Sequence, residues 1–313
     1  MSDYNCTKTT TTIGHFVAFS IEVTYSLLAV VLLSQIAKTV FITEKKFFKK
    51  NPFFIIFSTD ACVRVIDLMI GIFLMKVPLN LYFTCSFYME NFGDPNIIVH
   101  ICFFFSTYAK GFKCVSQSIL SFNRLSCVVF PFSYQKAWSK FMPLVFLFLF
   151  ISPFGMSFVL IPAQTIALED VDGVTITYMK YFKNIKLSVL TLVAYGITIV
   201  LTFIFTFITT VIMISMPGRI KNAEKKLCFA EFVLSLTFLI AALSQFYFAS
   251  MNAEDISSWM FQIMNNSFDL VTVTSPIILV IMSPLIREKG FKKVLPESWQ
   301  REISVMVVSV TNK

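Results

Sequence analysis

The chain has 313 residues, of which 56% are hydrophobic and 14% charged, with 37 Phe against 9 Gly. A soluble domain is about 45 to 50% apolar even with Gly counted, so this composition excludes an ordinary soluble fold and indicates a membrane protein. The formal net charge of +8 does not point to nucleic acid, because the basic residues fall in short clusters between apolar runs rather than along one solvated face.

A hydrocarbon core about 30 Å thick is crossed by roughly 20 apolar residues in a helix. The sequence predicts seven such helices, near 16–42, 53–75, 97–125, 142–167, 187–214, 228–250 and 264–286. Unpaired backbone groups cannot face lipid, so the runs are read as helical, and no two-residue alternation supports a barrel. The expected class is an all-α membrane protein. An amino-terminal segment 1–15 precedes a bundle over 16–286, and a tail covers 287–313.

The first residues, MSDYNCTKTTTT, lack the short apolar core and cleavage site of a signal peptide, so the first run is expected to stay in the chain. Asn5-Cys6-Thr7 is a glycosylation acceptor, though such a tripeptide also arises by chance. Glu22 stands about six residues inside the first run, counted on a helix spanning the core. In the second run Asp60, Arg64 and Asp67 are spaced i, i+4 and i+7, which puts them on one helical face that must turn from lipid.

Cys85 follows in a connecting segment, and the third run carries His100, Cys102, Lys110, Lys113, Asn123 and Arg124. Lys110 and Lys113 fall one turn apart at a depth similar to the acids of the second run, so two carboxylates face three cations in a buried polar network. Leaving a member unpaired costs at least about 2.5 to 3.5 kcal/mol near the bilayer centre. Three readings stand: a lock on helix register, an ion or proton path, and a switch that repacks.

Pro143, Pro153 and Pro162 in the fourth run, like Pro276 and Pro284 in the seventh, are expected to bend their helices. Ser152, Ser275 and Ser283 stand beside three of them, ready to bond freed carbonyls. The sixth run carries Glu231 about one turn inside its start. The seventh carries Asp269, with Gln262 just before it. The aromatic stretches FFF (103–105) and FLFLF (146–150) are expected to face lipid or pack. REKGFKKVL (287–295) mixes cations and apolar residues as an interfacial segment attracted to anionic lipid does.

The cations set the orientation. With the amino end outside, inner loops and tail hold 17 Lys and Arg of the 26, and the outer side holds Lys8, Lys76, Lys180, Lys183 and Lys186. Short loops keep positive charge on the cytoplasmic side, so the carboxyl end is inside and the crossings are odd in number. Cys6 and Cys85 then lie on the oxidising side, with Cys102 shallow in the third run. A Cys6–Cys85 or a Cys85–Cys102 bridge fits. The remaining cysteines read as small apolar side chains. The 7 Cys show no CxxC or Cys/His spacing and the imidazoles are His15 and His100, so no metal and no cofactor is expected. No HExxH or GxSxG supports an enzyme.

FNRLSCVVFPFSYQKAW (122–138) and KKFFKKNPFFIIFSTD (45–60), set on this seven-helix layout, resemble the nematode serpentine chemoreceptors, most closely serpentine receptor class gamma. The resemblance implies a chemosensory G-protein-coupled receptor in the plasma membrane of sensory neurons. Its partners would be a small environmental ligand, a heterotrimeric G protein and the bilayer. The seventh run ends SPIILVIMSPLI without an NPxxY pattern, the sixth has no proline, and residues 168–186 hold no cysteine. Any rhodopsin-style switch must therefore use other parts.

Arg124 lies about 42 Å along the third helix from Asn96 at 1.5 Å per residue, at the inner membrane boundary. It is either a snorkelling anchor or, with Asn123, part of a cytoplasmic switch in which Glu231 is its resting partner. If the first and seventh helices are neighbours, as the family layout implies, Glu22 and Asp269 approach one another as like charges. His100 and Gln262 join them as ligand-pocket candidates. The opposing function class is a transporter or channel using the charges of the second and third helices, but no internal repeat supports it.

Overall fold

In the computed structural model, the described residues are 13–49, 51–170, 173–179, 181–182, 185–215, 222–250 and 258–291. Among them, seven long helices form a bundle: α1 (Ile13–Lys38), α2 (Pro52–Gly71), α3 (Ile97–Val129), α4 (Tyr134–Ile151), α5 (Leu187–Ser215), α6 (Asn222–Ser250) and α7 (Ser258–Met282). A short α8 (Pro284–Gly290) follows, and β1 (Gln164–Asp170) pairs antiparallel with β2 (Gly173–Met179) between α4 and α5. Asn5 and Cys6 lie outside the described residues.

Among the described residues, five helices are long and apolar enough to cross a membrane by length and composition, and α2 and α3 are the two long helices missing from that set. These two carry Asp60, Arg64 and Asp67, and Lys110, Lys113 and Arg124. They pack against each other and bury Asp60, Arg64, Asp67 and Lys113, so these groups do not meet lipid. In α5 the pattern of a soluble helix is inverted. Val193, Ile197, Val200, Ile204, Phe207 and Val211 are exposed, while Thr191, Tyr195, Thr198, Thr202 and Thr209 are buried. Thr191, Thr198 and Thr209 donate to the carbonyls of Leu187, Ala194 and Phe205, which satisfies hydroxyls inside an apolar bundle.

Prolines and serines shape the breaks. Pro143 stays inside α4, and the helix stops at Ile151, where Ser152 Oγ donates to Phe148 O at 2.7 Å. The fourth span therefore runs over Tyr134–Leu160 rather than 142–167, and residues 164–167 belong to β1. A Cβ built on Gly111 of α3 would meet Pro153 at 3.3 Å, so the broken end of α4 rests on a glycine that lets the backbones close. Ser275 accepts from Lys113 rather than bonding a carbonyl, and Ser283 caps α8 through Ile286 N.

The hairpin covers the end of the bundle where α1, α3, α5 and α7 begin. Ala167, Val174 and Ile176 are buried against Cys85, Tyr88 and Met89 of a short helix, Cys85–Phe92. Burial raises the pKa of the Tyr88 and Tyr178 hydroxyls above the ordinary tyrosine value. At the opposite end α8 docks on α1. Gln35 Nε2 donates to Gly290 O at 2.8 Å, and Phe291 packs in the cluster that holds Ile36, Val40 and Phe48.

Candidate functional site

A cavity of ≈ 260 Å³ lies beneath β2, between residues 72–80 that continue α2 and the helices α3, α5, α6 and α7. Its walls are mixed: Leu74, Phe103, Phe248 and Met264 supply apolar surface, while Thr107, Lys110, Lys186 and Asn265 supply polar groups. Phe103, expected among lipid-facing or packing aromatics, is one of the wall residues and lies 6.1 Å from the Tyr178 ring. A smaller chamber of ≈ 40 Å³ adjoins it, lined by Asp67, Lys76, Lys110, Asp269 and neighbours.

Two tiers of polar groups surround these spaces. In the deeper tier Lys113 Nζ donates to Asp60 Oδ2 at 2.9 Å and to Ser275 Oγ at 3.2 Å, joining α3 to α2 and α7. Ser116 Oγ donates to Asp60 Oδ1 at 3.0 Å. Arg64 Nη1 donates to Asp67 Oδ2 at 2.9 Å, while its Nε lies 3.7 Å from Asp60 Oδ1. Its guanidinium carbon also sits 5.1 Å from the Phe268 ring centroid, a contact that offsets part of the desolvation of a buried cation. The tier therefore brings together Asp60, Arg64, Asp67 and Lys113. Lys110 stands apart from their ion pairs, 5.5 Å from the Phe268 centroid and in the wall of both cavities.

The second tier lies nearer the hairpin. Lys76 Nζ pairs with Asp269 Oδ2 at 2.6 Å and also donates to Ser26 Oγ. Tyr25 OH shares its one proton between Asp269 Oδ2 at 3.0 Å and Asn266 Oδ1 at 2.9 Å. Glu22 accepts from Asn266 Nδ2 at 2.8 Å and Asn80 Nδ2 at 3.2 Å, and Gln262 Nε2 donates to Asn80 Oδ1 at 3.1 Å. Glu22, Gln262 and Asp269 thus share one network, in which an ammonium and amides hold the two carboxylates. The two carboxylates stand close enough to act on one another as like charges, and these partners offset the repulsion. His100 stands elsewhere: its Nδ1 is 3.0 Å from Thr165 Oγ1 on β1. Among the described residues, Asp269 lines the smaller chamber, and Glu22, His100 and Gln262 line neither space.

Lys76 is the largest departure from the sequence reading, which counts it among the outer charges. It is 5% exposed and lies inside the bundle. On a regular helix, about 100° per residue puts Lys76 roughly opposite Asp67. The structure inserts a π-turn, Ile72–Lys76, and one added residue swings the side chain back by about 100° toward the polar face. Pro78 is the signal that marks this distortion: it lacks an N–H and crowds the carbonyl four residues earlier, so the helix before it must loosen. With Lys76 moved, the outer cations are fewer still, and the charge asymmetry sharpens.

At the α8 end Asn123 is buried and accepts from Tyr134 OH at 3.1 Å. The Arg124 guanidinium lies 3.6 Å from the Phe53 ring centroid on α2, a stacked contact absent from the sequence reading. Glu231 belongs to α6, with its side chain outside the described residues. Cys102 is a free thiol, whereas Cys85 is disulfide-bonded. The Cys85–Cys102 alternative is thereby removed, and Cys6 falls outside the described residues. Among the described residues no group of His, Cys, Asp and Glu is placed to hold a metal ion.

The family model for Srg family chemoreceptors matches residues 19–289. The chain is 28% identical over 277 residues to serpentine receptor class gamma-13 of Caenorhabditis elegans, covering 88% of this chain and 82% of that protein. It is 29% identical over 271 residues to serpentine receptor class gamma-16 of the same organism, covering 86% and 82%. The fold superposes on the crystal structure of squid rhodopsin with a TM-score of 0.62 at 14% identity, over 89% of this chain and 85% of that one, a likeness of fold alone. A family match that runs from α1 to α8, on a seven-helix bundle holding a cavity under its hairpin, places this chain in the Srg family of chemoreceptors.

Proposed function

We propose that this chemoreceptor takes a small environmental molecule into the cavity beneath the hairpin and signals through a heterotrimeric G protein at the α8 end. The cavity carries this reading, because it is the space where α3, α5, α6, α7 and the continuation of α2 over residues 72–80 all meet and where a ligand can bias their packing. The hairpin end faces outward and the basic loops face the cytoplasm, in the plasma membrane of a sensory neuron. Those loops, with Lys45, Lys46, Lys49, Lys136 and Lys140, offer the G protein a positive surface.

The deeper polar tier serves as the element that repacks. Lys113 bonds residues of two other helices at once, so a shift of α3 must exchange those bonds together. At the α8 end, Asn123, Arg124 and Glu231 form the cytoplasmic switch, with Arg124 resting on Phe53 and paired to Glu231 in the inactive state. A ligand screen in cells supplied with a promiscuous G protein tests the reading by calcium release. A ligand that evokes current or uptake without any second messenger sinks it. Glu231→Gln is expected to raise ligand-independent signalling by about threefold, on the scale of one exposed-to-half-buried ion pair. Equal basal output at matched surface expression removes the switch.

A further inference from the structure

The walls of the larger cavity hold two cations, Lys110 and Lys186, and no aspartate or glutamate among the described lining residues. Lys186 is exposed at the start of α5, close to the hairpin, and Lys110 lies in α3 where the larger cavity meets the smaller chamber. The other buried cations nearby are already matched: Lys113 to Asp60, Arg64 to Asp67, and Lys76 to Asp269. Among the described residues Lys110 has no carboxylate within ion-pair distance, and its ammonium lies against the Phe268 ring. Removed from bulk water, such a cation gains most from an oxyanion brought to it.

From this we infer that the cavity selects an organic carboxylic acid, seated with its carboxylate on Lys110 and its apolar chain running toward the hairpin. The inference rests on the cavity being the ligand site. Asn265 and Thr107 stand in the same wall to donate to the second carboxylate oxygen, and Leu74, Phe103 and Phe248 fit the chain. Lys186 adds attraction at the hairpin side. An amine in this position would meet two ammonium groups and, among the described lining residues, no carboxylate, so amines are selected against. The location also supplies a route to the polar tiers. Lys110 shares the smaller chamber with Asp67 and Asp269, and a bound carboxylate competes with these two for the same ammonium. Drawing Lys110 toward the larger cavity loosens the balance among α2, α3 and α7.

The test uses the full-length receptor, purified in detergent for thermal melting and expressed in cells for calcium release. The probes are medium-chain fatty acids beside the primary amides and amines of the same chains. Acids are expected to raise the melting temperature and to act, with amides and amines inert. Lys110→Met is expected to lower acid potency by about tenfold or more, Lys110→Arg to hold it within about threefold, and Lys186→Gln to lower it about threefold. The inference is overturned if amides or amines match the acids, if Lys110→Met answers like the parent, or if no acid shifts the parent's melting temperature. That last arm needs no variant to fold. Acids that stabilise the parent through Lys110 yet evoke no second messenger leave the carboxylate site standing and remove the signalling reading. Signalling by an uncharged ligand independent of Lys110 does the reverse.

Discussion

The two polar tiers differ in how their charges are neutralised. In the deeper one, Asp60 and Lys113 meet directly, with side chains 2% and 1% exposed, and a second cation stands within 4 Å of the same carboxylate. Nearer the hairpin, the carboxylates are held through hydroxyls and amides as well as an ammonium, and Asp269 retains 15% exposure beside the smaller chamber. A pair sealed in low dielectric tolerates little loss, whereas a mixed network has substitute donors and access to water. The deeper tier therefore holds helix register in the resting bundle until its bonds exchange together, and the tier by the hairpin can adjust gradually to what enters the cavity.

The largest effect expected from this contrast is at Lys113. Lys113→Met leaves Asp60 with Ser116 and with Arg64 Nε at 3.7 Å, and is expected to destabilise the bundle by about 3 kcal/mol. Asp60→Asn together with Lys113→Met should recover most of that loss, because no charge is then stranded. Thermal melting of the purified receptor reads both, and simple additivity of the two single variants would show that the pair does not act as a unit.

Lys76→Met is expected to cost less, about 1 to 2 kcal/mol. Asp269 keeps the Tyr25 hydroxyl, and the adjoining chamber can admit water to it. A loss as large as that at Lys113 would erase the distinction between the tiers. Adding Tyr25→Phe to Lys76→Met sharpens it, since Asp269 then loses both donors and the second substitution should cost more than it does alone.

What could be read from sequence follows the same division. Asp60, Arg64 and Asp67 sit on one face of an unbroken helix, so spacing alone placed them together. The seven helices were legible because lipid demands long apolar runs with all backbone groups paired. Lys76 was not, since a π-turn rotates it by a residue that no simple periodicity supplies. The hairpin is hidden because residues 164–167 continue the fourth apolar run and hydropathy alone does not mark the rest, although GVTITYM alternates and its Val174 and Ile176 are buried. The cavity was the least legible part. It is built from four helices, the segment after α2 and a strand, and Lys110 stands in its wall because its neighbour one turn away, Lys113, takes Asp60. Sequence shows two equivalent lysines; packing makes one structural and leaves the other available.

The α8 junction gives the smallest effects and tests whether charge or packing holds the ends of the bundle. Lys289 Nζ lies 3.9 Å from Glu44 Oε1, both about one third exposed, and an exposed pair of this kind contributes only about 0 to 1 kcal/mol. Lys289→Gln is accordingly expected to lower stability by no more than about 0.5 kcal/mol. Gln35→Ala removes the half-buried bond to Gly290 O, made at 2.8 Å, and should cost about 1 kcal/mol. Gly290 itself approaches Thr39 so closely that an added Cβ would lie 3.0 Å from its Oγ1. That approach brings Phe291 into the cluster with Ile36 and Phe48. If thermal melting ranked Lys289→Gln above Gln35→Ala, the surface ion pair rather than this close contact would be what fastens α8 to α1.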